Sequence, residues 1–233
     1  KPLAEIGGEP MIIQVWRRAI AAASGAVVVA CAEREIVAAV EAAGGRAVLT
    51  RPDHVSGSDR VHEAVALLDR ERRHDVVVNL QGDLPLIAPE AIRAALLPLA
   101  ERAVDIATLA APIVTAAELA DTSVVKVAAG FAPGMQVARA LYFSRLPVPG
   151  GAGEHYHHIG VYAFRRAALE RFVALPPTVL EVRESLEQLR ALEAGMRIDV
   201  ALVDTVPLGV DTPADLARAR ALFAAARAGS RGP

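Results

Sequence analysis

The sequence contains little cysteine, few aromatic residues and no long apolar segment. Its single cysteine, Cys31, excludes a disulfide framework or a cysteine-based zinc site within one chain, and it favours a cytoplasmic location. The longest apolar stretch, AIAAASGAVVVACA, is shorter than the roughly 20 residues that a membrane helix needs. We find no signal peptide. The net charge of −2, without a basic cluster, disfavours nucleic acid as a partner.

Several common nucleotide-binding and hydrolase motifs are also missing. There is no GxGxxG, GxxxxGK[ST], GxSxG or HExxH pattern, so the classical dinucleotide fold, the P-loop and two hydrolase classes have no support. The remaining possibilities are nucleotide or sugar sites that are built in other ways.

The apolar content, 53% of 233 residues, is sufficient for a large core. Up to about Asp105, strand and helix patterns alternate with short loops, which predicts an α/β fold with a mostly parallel sheet covered on both faces. After Asp105 the pattern becomes strand-rich, which indicates an antiparallel insert. TVLEVRESLEQLRALEAG is typical of one helix. The final helix is expected to begin after Thr212 as N-cap, with Pro213 at its first position.

Asp83 lies just past the apolar run DVVVNL. Ligands of open parallel sheets bind outside the carboxyl ends of strands, so Asp83 is a candidate metal ligand, and Gly82 would allow close approach of the backbone. A loop acid or a cap for the next helix is the alternative.

Asp211 follows a short apolar run and precedes the final helix, where capping alone would explain it. Together with Asp83, Asp211 is a candidate metal ligand, because Mg²⁺ is commonly held by one or two carboxylates together with substrate phosphates and water.

The loop PDHVSGSDR offers hydroxyl groups and backbone amides to a base or a phosphate. Turn chemistry explains the same residues, since Asp59 could cap the next helix. The candidates in this loop are Ser56, Gly57, Ser58 and Asp59.

Three further segments carry polar groups. In EHYHHIGVYAF, His155 and His157 would share one strand face while His158 points inward. Arg145 suits bidentate carboxylate recognition, with a surface ion pair as the alternative. Glu184 and Gln188 stand at i and i+4 of the predicted helix, beside Glu187, and alone they favour a solvated face.

Together, KPLAEIGGEPMI, SGSDR, VNLQGDLPLI, VVKV, ALYFSRLPVP, HHIGVYAFR, SLEQLRALEAG and GVDTPADL occur in the order found in one family. Over nearly its whole length the chain resembles the 3-deoxy-manno-octulosonate cytidylyltransferases, also called CMP-Kdo synthetases. SLEQLR and GVDTPADL are the most specific segments.

The resemblance implies a Rossmann-like three-layer sandwich that dimerises through a smaller strand-rich insert at about residues 122–190. It implies Mg²⁺-dependent transfer of CMP from CTP to the sugar acid Kdo in the cytoplasm, for lipopolysaccharide synthesis. Asp83 and Asp211 would hold Mg²⁺, Lys1 would contact the triphosphate, and the SGSDR loop would lie by the cytosine. Residues implied to bind the sugar are Gln81, Arg145, His158, Tyr162, Glu187 and Gln188, with Arg145 and His158 matching its carboxylate.

The chain departs from the family pattern at three places. Leu84 stands where the motif QGDEP has Glu, and Cys31, Ala32 and Glu33 replace a Thr-Asp and further acids. The family's first strand and its basic, glycine-bearing loop are expected before Lys1 and are missing from this sequence.

Three alternatives remain open at the level of the sequence. One is a related cytidylyltransferase that acts on sialic acid or amino-Kdo. Another is a non-catalytic dimeric paralogue, supported by the missing loop and by Leu84. A third is a GT-A-type glycosyltransferase, although QGDLP lacks the first Asp of a DxD pair.

Overall fold

The computed structural model describes residues 1–229 and contains nine α-helices, one 3-10 helix (Leu97–Ala100) and ten strands in that range. The helices are α1 (Met11–Ala22), α2 (Arg34–Ala42), α3 (Gly57–Leu68), α4 (Pro89–Ala94), α5 (Ala116–Ala120), α6 (Arg166–Ala174), α7 (Val179–Glu184), α8 (Gln188–Glu193) and α9 (Pro213–Gly229). The strands are β1 (Glu5–Ile6), β2 (Glu9–Pro10), β3 (Val29–Cys31), β4 (Ala47–Leu49), β5 (Val76–Asn79), β6 (Ile106–Pro112), β7 (Lys126–Ala129), β8 (Val137–Ser144), β9 (Tyr156–Arg165) and β10 (Ile198–Leu202). None of the helices described here is both long and apolar enough to cross a membrane.

The chain divides into two compact units. The first unit comprises residues 1–68, 80–92 and those from 207 onward, and the second comprises residues 69–79 and 93–206. The insert expected at about residues 122–190 lies within the second unit. A single domain over the whole chain stays a prediction.

In the first unit, a tight hairpin precedes α1. Strands β1 and β2 are joined by Gly7 and Gly8, with φ angles of 63° and 87°. Two consecutive positive φ angles are typical of a hairpin turn and favour glycine at both places. A Cβ at Gly7 would also lie 2.1 Å from the ring of Phe223. Around this contact, residues from the beginning and from the end of the chain form one buried cluster: Ile6, Met11, Val210 and Ala219.

The same unit contains a short parallel pair, β3–β4. Helices α1 and α2 cover this pair through a cluster of Ile12, Ile13, Cys31, Ile36 and Val40. Helix α9 begins as predicted, because the backbone N–H of Asp215 donates to Oγ1 of Thr212 (3.2 Å) and Pro213 is the first helical residue. This N-cap satisfies a donor that the helix itself leaves unpaired.

The second unit is built on a six-stranded sheet in the order β5-β9-β6-β10-β8-β7. Strand β7 also pairs with β9, through Lys126 opposite His157 and Val127 opposite Tyr156. Strands β9, β6, β10, β8 and β7 therefore close into a barrel-like ring, and β5 continues the sheet along the other half of β9.

The α/β class is confirmed. The antiparallel pairing expected after Asp105 is present in this unit, but the parallel pairing predicted for the earlier strand β5 is wrong. Within this unit, β6 and β10 form the parallel pair among the described ladders, and the others are antiparallel. The sequence pattern of β5 is that of a buried strand, which is equally compatible with either direction of pairing. Its neighbour is β9, which arrives some 80 residues later and runs antiparallel between β5 and β6.

The single helix predicted over TVLEVRESLEQLRALEAG is also wrong. Ser185 adopts a left-handed conformation (φ 55°) and separates α7 from α8. Glu184 and Gln188 therefore belong to different helices, and Gln188 is buried. The expectation of one solvated face at these positions fails for the same reason.

Candidate functional site

In the first unit, two carboxylates converge on one cation. Nζ of Lys1 lies 2.9 Å from Oδ1 of Asp211 and 3.4 Å from Oδ2 of Asp83. Burial disfavours the charge of Lys1, but the hydrogen bond to Asp211 and the charges of both carboxylates outweigh it and raise the pKa of Lys1. The ammonium group therefore stays protonated at neutral pH and bridges the two acids.

The backbone holds the three side chains in this arrangement. The N–H of Val210 donates to the carbonyl of Asp83 (2.9 Å), which ties the QGD loop to the segment that carries Asp211. The N–H of Ile12 donates to the carbonyl of Pro2 (3.0 Å), which ties Lys1 to the start of α1. Leu84 is buried beside this loop and presents no charge where the family motif has Glu.

The donor set of this cluster fits a magnesium ion. The two carboxylates already approach a common positive atom, and Mg²⁺ commonly takes one or two carboxylates and fills its shell with phosphate oxygens and water. Within residues 1–229, no group of three or more His, Cys, Asp and Glu side chains is placed to hold a metal by itself. The cluster thus resembles a site shared with a phosphate ligand more than a closed protein cage.

The SGSDR loop forms the start of α3. Oγ of Ser56 accepts from the N–H of Asp59 (3.2 Å) and donates to the carboxylate of Asp59 (2.9 Å). These two side chains therefore cap the helix, as the turn interpretation predicted. A Cβ at Gly57 would lie 2.9 Å from Nε2 of Gln81, so the loop and the Gln81 side chain are in close proximity. Ser58 is buried.

In the second unit, His158 is buried at an irregularity of β9. The register with β6 shifts between Ala107 and Leu109, and the hydroxyl of Thr108 lies there, 2.9 Å from the carbonyl of Val161 and 2.9 Å from Nε2 of His158. A hydroxyl has one proton to donate. If that proton goes to Val161, Nε2 of His158 is the donor to Thr108 and Nδ1 is left as an acceptor.

Burial, and then the charge of His157, lower the pKa of His158 to about 3. The imidazole is therefore neutral at physiological pH. As predicted, His158 points inward, whereas the side chain of His157 points outward and pairs with Glu118 (2.7 Å).

Tyr162 continues the buried cluster. Its ring lies 5.5 Å from that of His158, and Phe143 contacts His158 edge-on at 4.9 Å. Burial, followed by the nearby charge of Glu187, raises the pKa of Tyr162, so its hydroxyl remains a donor. His158 and Tyr162, two of the predicted sugar-binding residues, therefore lie side by side, and the charge of Glu187 acts on Tyr162.

Arg145 is held by backbone carbonyls of the second unit. Its guanidinium donates to the backbone carbonyls of Glu184 (3.0 Å), Thr122 (3.2 Å) and Ser185 (3.4 Å). The side chain is thus oriented by three carbonyls at the break between α7 and α8, and a surface ion pair does not describe it.

Sequence reasoning assigned no role to Thr108 and Lys126. Lys126 is fully buried, and its ammonium donates to the carbonyls of Asp121, Val124 and Arg145 at 2.6, 2.9 and 3.0 Å. Burial lowers its pKa. A signal was available in both cases, since each is a polar residue inside an otherwise apolar strand segment, IATLAAP and VVKVAA.

Comparison with known proteins gives a consistent picture. A family model described as Cytidylyltransferase matches residues 1–198. A 3-deoxy-manno-octulosonate cytidylyltransferase of Paramagnetospirillum magneticum is 65% identical over 225 residues, covering 97% of this chain and 92% of that protein. One of Methylobacterium nodulans is 64% identical over 227 residues, with the same coverage of 97% and 92%.

Comparison with solved structures agrees with the sequence comparisons. CMP:2-keto-3-deoxy-manno-octonic acid synthetase complexed with CTP matches with a TM-score of 0.88 and 40% identity, over 97% of this chain and 92% of that one. The 4-diphosphocytidyl-2C-methyl-D-erythritol synthase of Anaerococcus prevotii shares only the fold, with a TM-score of 0.61 and 13% identity over 96% of this chain and 93% of that one. From the family model, the level of identity and the structural match, this chain belongs to the 3-deoxy-manno-octulosonate cytidylyltransferase family.

Proposed function

We propose that this protein transfers CMP from CTP to the anomeric hydroxyl of 3-deoxy-manno-octulosonate (Kdo) and releases pyrophosphate, as a step of lipopolysaccharide synthesis. The observation that carries the proposal is 65% identity over 97% of the chain to a protein of that name. Because CTP is a cytoplasmic metabolite, we assign the reaction to the cytoplasm.

We assign Mg²⁺ to Asp83 and Asp211, which already approach one cation in the first unit. When bound, Mg²⁺ would supply positive charge beside the triphosphate, lower the pKa of the attacking hydroxyl and offset developing charge. Lys1, whose pKa is raised, would add a fixed positive charge against the phosphates. The remaining work of the protein is to hold the hydroxyl and the α-phosphorus in line.

We assign CTP to the same unit, at the start of α3 and the QGD loop. Ser56 and Asp59 act here by shaping the first turn, since their side chains cap the helix. The positive end of the helix dipole favours an electron-rich partner. Gln81, which lies against Gly57, would offer an amide to the nucleotide or to the sugar.

We assign the sugar acid to Arg145, His158, Tyr162, Glu187 and Gln188 of the second unit. A neutral His158 cannot match a carboxylate by charge, so its expected role changes. Nδ1 would accept a hydrogen bond from a sugar hydroxyl, while Tyr162 would donate one. Recognition of the carboxylate then falls to Arg145, whose planar guanidinium matches a carboxylate in bidentate geometry.

We also propose that the protein is a homodimer formed through the second unit. That unit exposes large apolar side chains in its strand-rich and α7 segments: Leu141, Leu146, Val179 and Val182. Exposed apolar side chains mark a protein interface where they form one contiguous patch. A second copy of the chain is the occupant that the resemblance implies.

The first test is pyrophosphate release with CTP and Mg²⁺, comparing Kdo with N-acetylneuraminate. It is run on this chain and on a version with any residues that the gene encodes before Lys1. We expect release with Kdo and not with N-acetylneuraminate. Release with N-acetylneuraminate instead would favour the related cytidylyltransferase, and no release from either version would favour a non-catalytic paralogue.

A further inference from the structure

A set of hydrogen bonds in the second unit connects the end of β8 to the break between α7 and α8. The carboxylate of Glu184 accepts from Oγ of Ser144 (2.9 Å), the backbone N–H of Arg145 (3.1 Å) and the hydroxyl of Tyr142 (3.3 Å). All three donors belong to β8 or to the residue that follows it. Glu184, the last residue of α7, is therefore fixed to the sheet rather than directed to solvent.

The bonds between Glu184 and Arg145 run in both directions. While the Glu184 side chain binds the backbone of Arg145, the Arg145 side chain binds the carbonyls of Glu184 and of Ser185. Lys126 adds a third connection, because it donates to the carbonyl of Arg145 from the interior (3.0 Å). Charge-assisted hydrogen bonds of this kind are shorter and stronger than neutral ones.

These bonds surround a residue in an unfavourable conformation. Ser185 has a φ of 55°, and a side chain other than glycine disfavours the left-handed region. Without the break, α7 would continue along its own axis. With it, the chain turns so that Leu186 and Gln188 are buried and Glu187 lies near Tyr162. The direction of the chain at Ser185 thus sets where Glu187 and Gln188 lie.

We propose that Glu184 is a positioning residue for the sugar acid. It acts through the Ser185 break on Glu187 and Gln188, and not by contact with the substrate. The proposal rests on the proposed function, in which Glu187 and Gln188 bind the sugar acid.

The test is steady-state kinetics of Glu184→Gln, which keeps the size of the side chain but removes its charge and places an amide N–H₂ opposite the donors of β8. We expect the KM for Kdo to rise ~10-fold, with the KM for CTP within about twofold of the wild type. A matched control is Glu170→Gln in the same unit, which loses bonds from Arg72 and Arg166 but lies outside the sugar residues. Both KM values should be unchanged in the control, and an unchanged KM for Kdo in Glu184→Gln would overturn the proposal.

A second variant separates positioning from contact. Glycine adopts a φ of 55° readily, so Ser185→Gly should maintain the break without help from Glu184. In the Ser185→Gly background, Glu184→Gln is expected to raise the KM for Kdo by only ~3-fold or less. Strictly multiplicative effects of the two changes would mean that Glu184 acts on the sugar independently of the break, and would refute positioning.

Amide hydrogen exchange gives a readout that does not depend on the reaction. Exchange of residues 185–189 should be faster in Glu184→Gln than in the wild type and in Glu170→Gln. Unchanged exchange there refutes the proposal, whereas a wild type that releases no pyrophosphate with Kdo refutes the proposed function instead. If Glu184→Gln does not fold, Tyr142→Phe removes one of the three donors and is expected to give a smaller change, ~2-fold, in the same direction.

Discussion

The first unit places its charged candidate groups at an exposed position, whereas the second unit includes buried, neutral groups in its candidate site. Asp211, Asp83 and Lys1 have side chains that are 78%, 32% and 43% exposed. In contrast, His158 and Tyr162 are buried and uncharged at neutral pH. An exposed pair of acids can take up and release a charged ligand, while buried neutral donors and acceptors discriminate by geometry.

The two units also differ in how each holds a lysine. Lys126 keeps its ammonium inside the unit by giving each of its three N–H groups to a carbonyl. Lys1 instead faces two carboxylates. One lysine therefore stabilises the fold and the other is available to a ligand, although both are the same residue type.

The largest effect is expected from removing a carboxylate of the first unit. Asp83→Ala should lower turnover at least ~10³-fold, because it removes a proposed metal ligand. The fold should be intact, since the side chain is partly exposed. Asp53→Ala, an exposed aspartate of the same unit that pairs with Arg51 at 3.7 Å, serves as the control and should keep its activity. Near-wild-type turnover of Asp83→Ala would contradict the assignment of Asp83 as a metal ligand.

The two lysines provide the next test, this time of stability. Lys126→Met should lower the free energy of unfolding by about 3 kcal/mol, because three carbonyls lose the donor that a buried ammonium gives them. Lys1→Met should change it by less than about 0.5 kcal/mol, as is usual for exposed ion pairs. Urea unfolding followed by circular dichroism measures both values. Similar losses in the two variants would contradict the division of roles.

The smallest expected effect is a pH dependence that His158 adds to stability. Its pKa is about 3 in the folded chain and 6.5 without the fold, so the unfolded state binds the extra proton between these values. The free energy of unfolding therefore falls as the pH falls through this window. From pH 6.5 to 5.0 the contribution is about 2 kcal/mol, and His158→Gln should be free of it.

Urea unfolding of wild type and His158→Gln at the two pH values checks this prediction. His157 and its partner Glu118 are present in both proteins, so the comparison isolates the change at His158. An equal change in the free energy of unfolding between the two pH values in both proteins would mean that the imidazole is not kept neutral by the fold.

The features that the sequence predicted correctly depend on local chemistry. Thr212 caps α9 because its hydroxyl and the N–H of Asp215 are three residues apart. Asp83 and Asp211 were expected to come together because each follows a short apolar run before a loop, and the structure places both beside Lys1. Their role as metal ligands stays a prediction.

What the sequence did not predict depends on partners distant along the chain. The helix pattern of the sequence continues through Ser185. In the structure, the helix breaks at Ser185, and the preceding Glu184 is hydrogen-bonded to Ser144 and Arg145, some 40 positions earlier. In the same way, the pattern of β5 cannot reveal that β9 is its neighbour. Periodicity reports which face of an element is buried, and not which element covers it.

The closed ring of strands has a consequence for the order of events during synthesis on the ribosome. Strand β9 can pair with β5, β6 and β7 as soon as it emerges, but β6 and β8 are joined through β10, at Ile198–Leu202. The core of the first unit is completed later still, because Ile6 and Met11 share it with Val210 and Ala219. A nascent chain stalled before Ile198 would therefore complete neither unit, and its early apolar segments would lack their full core until the last helix is made.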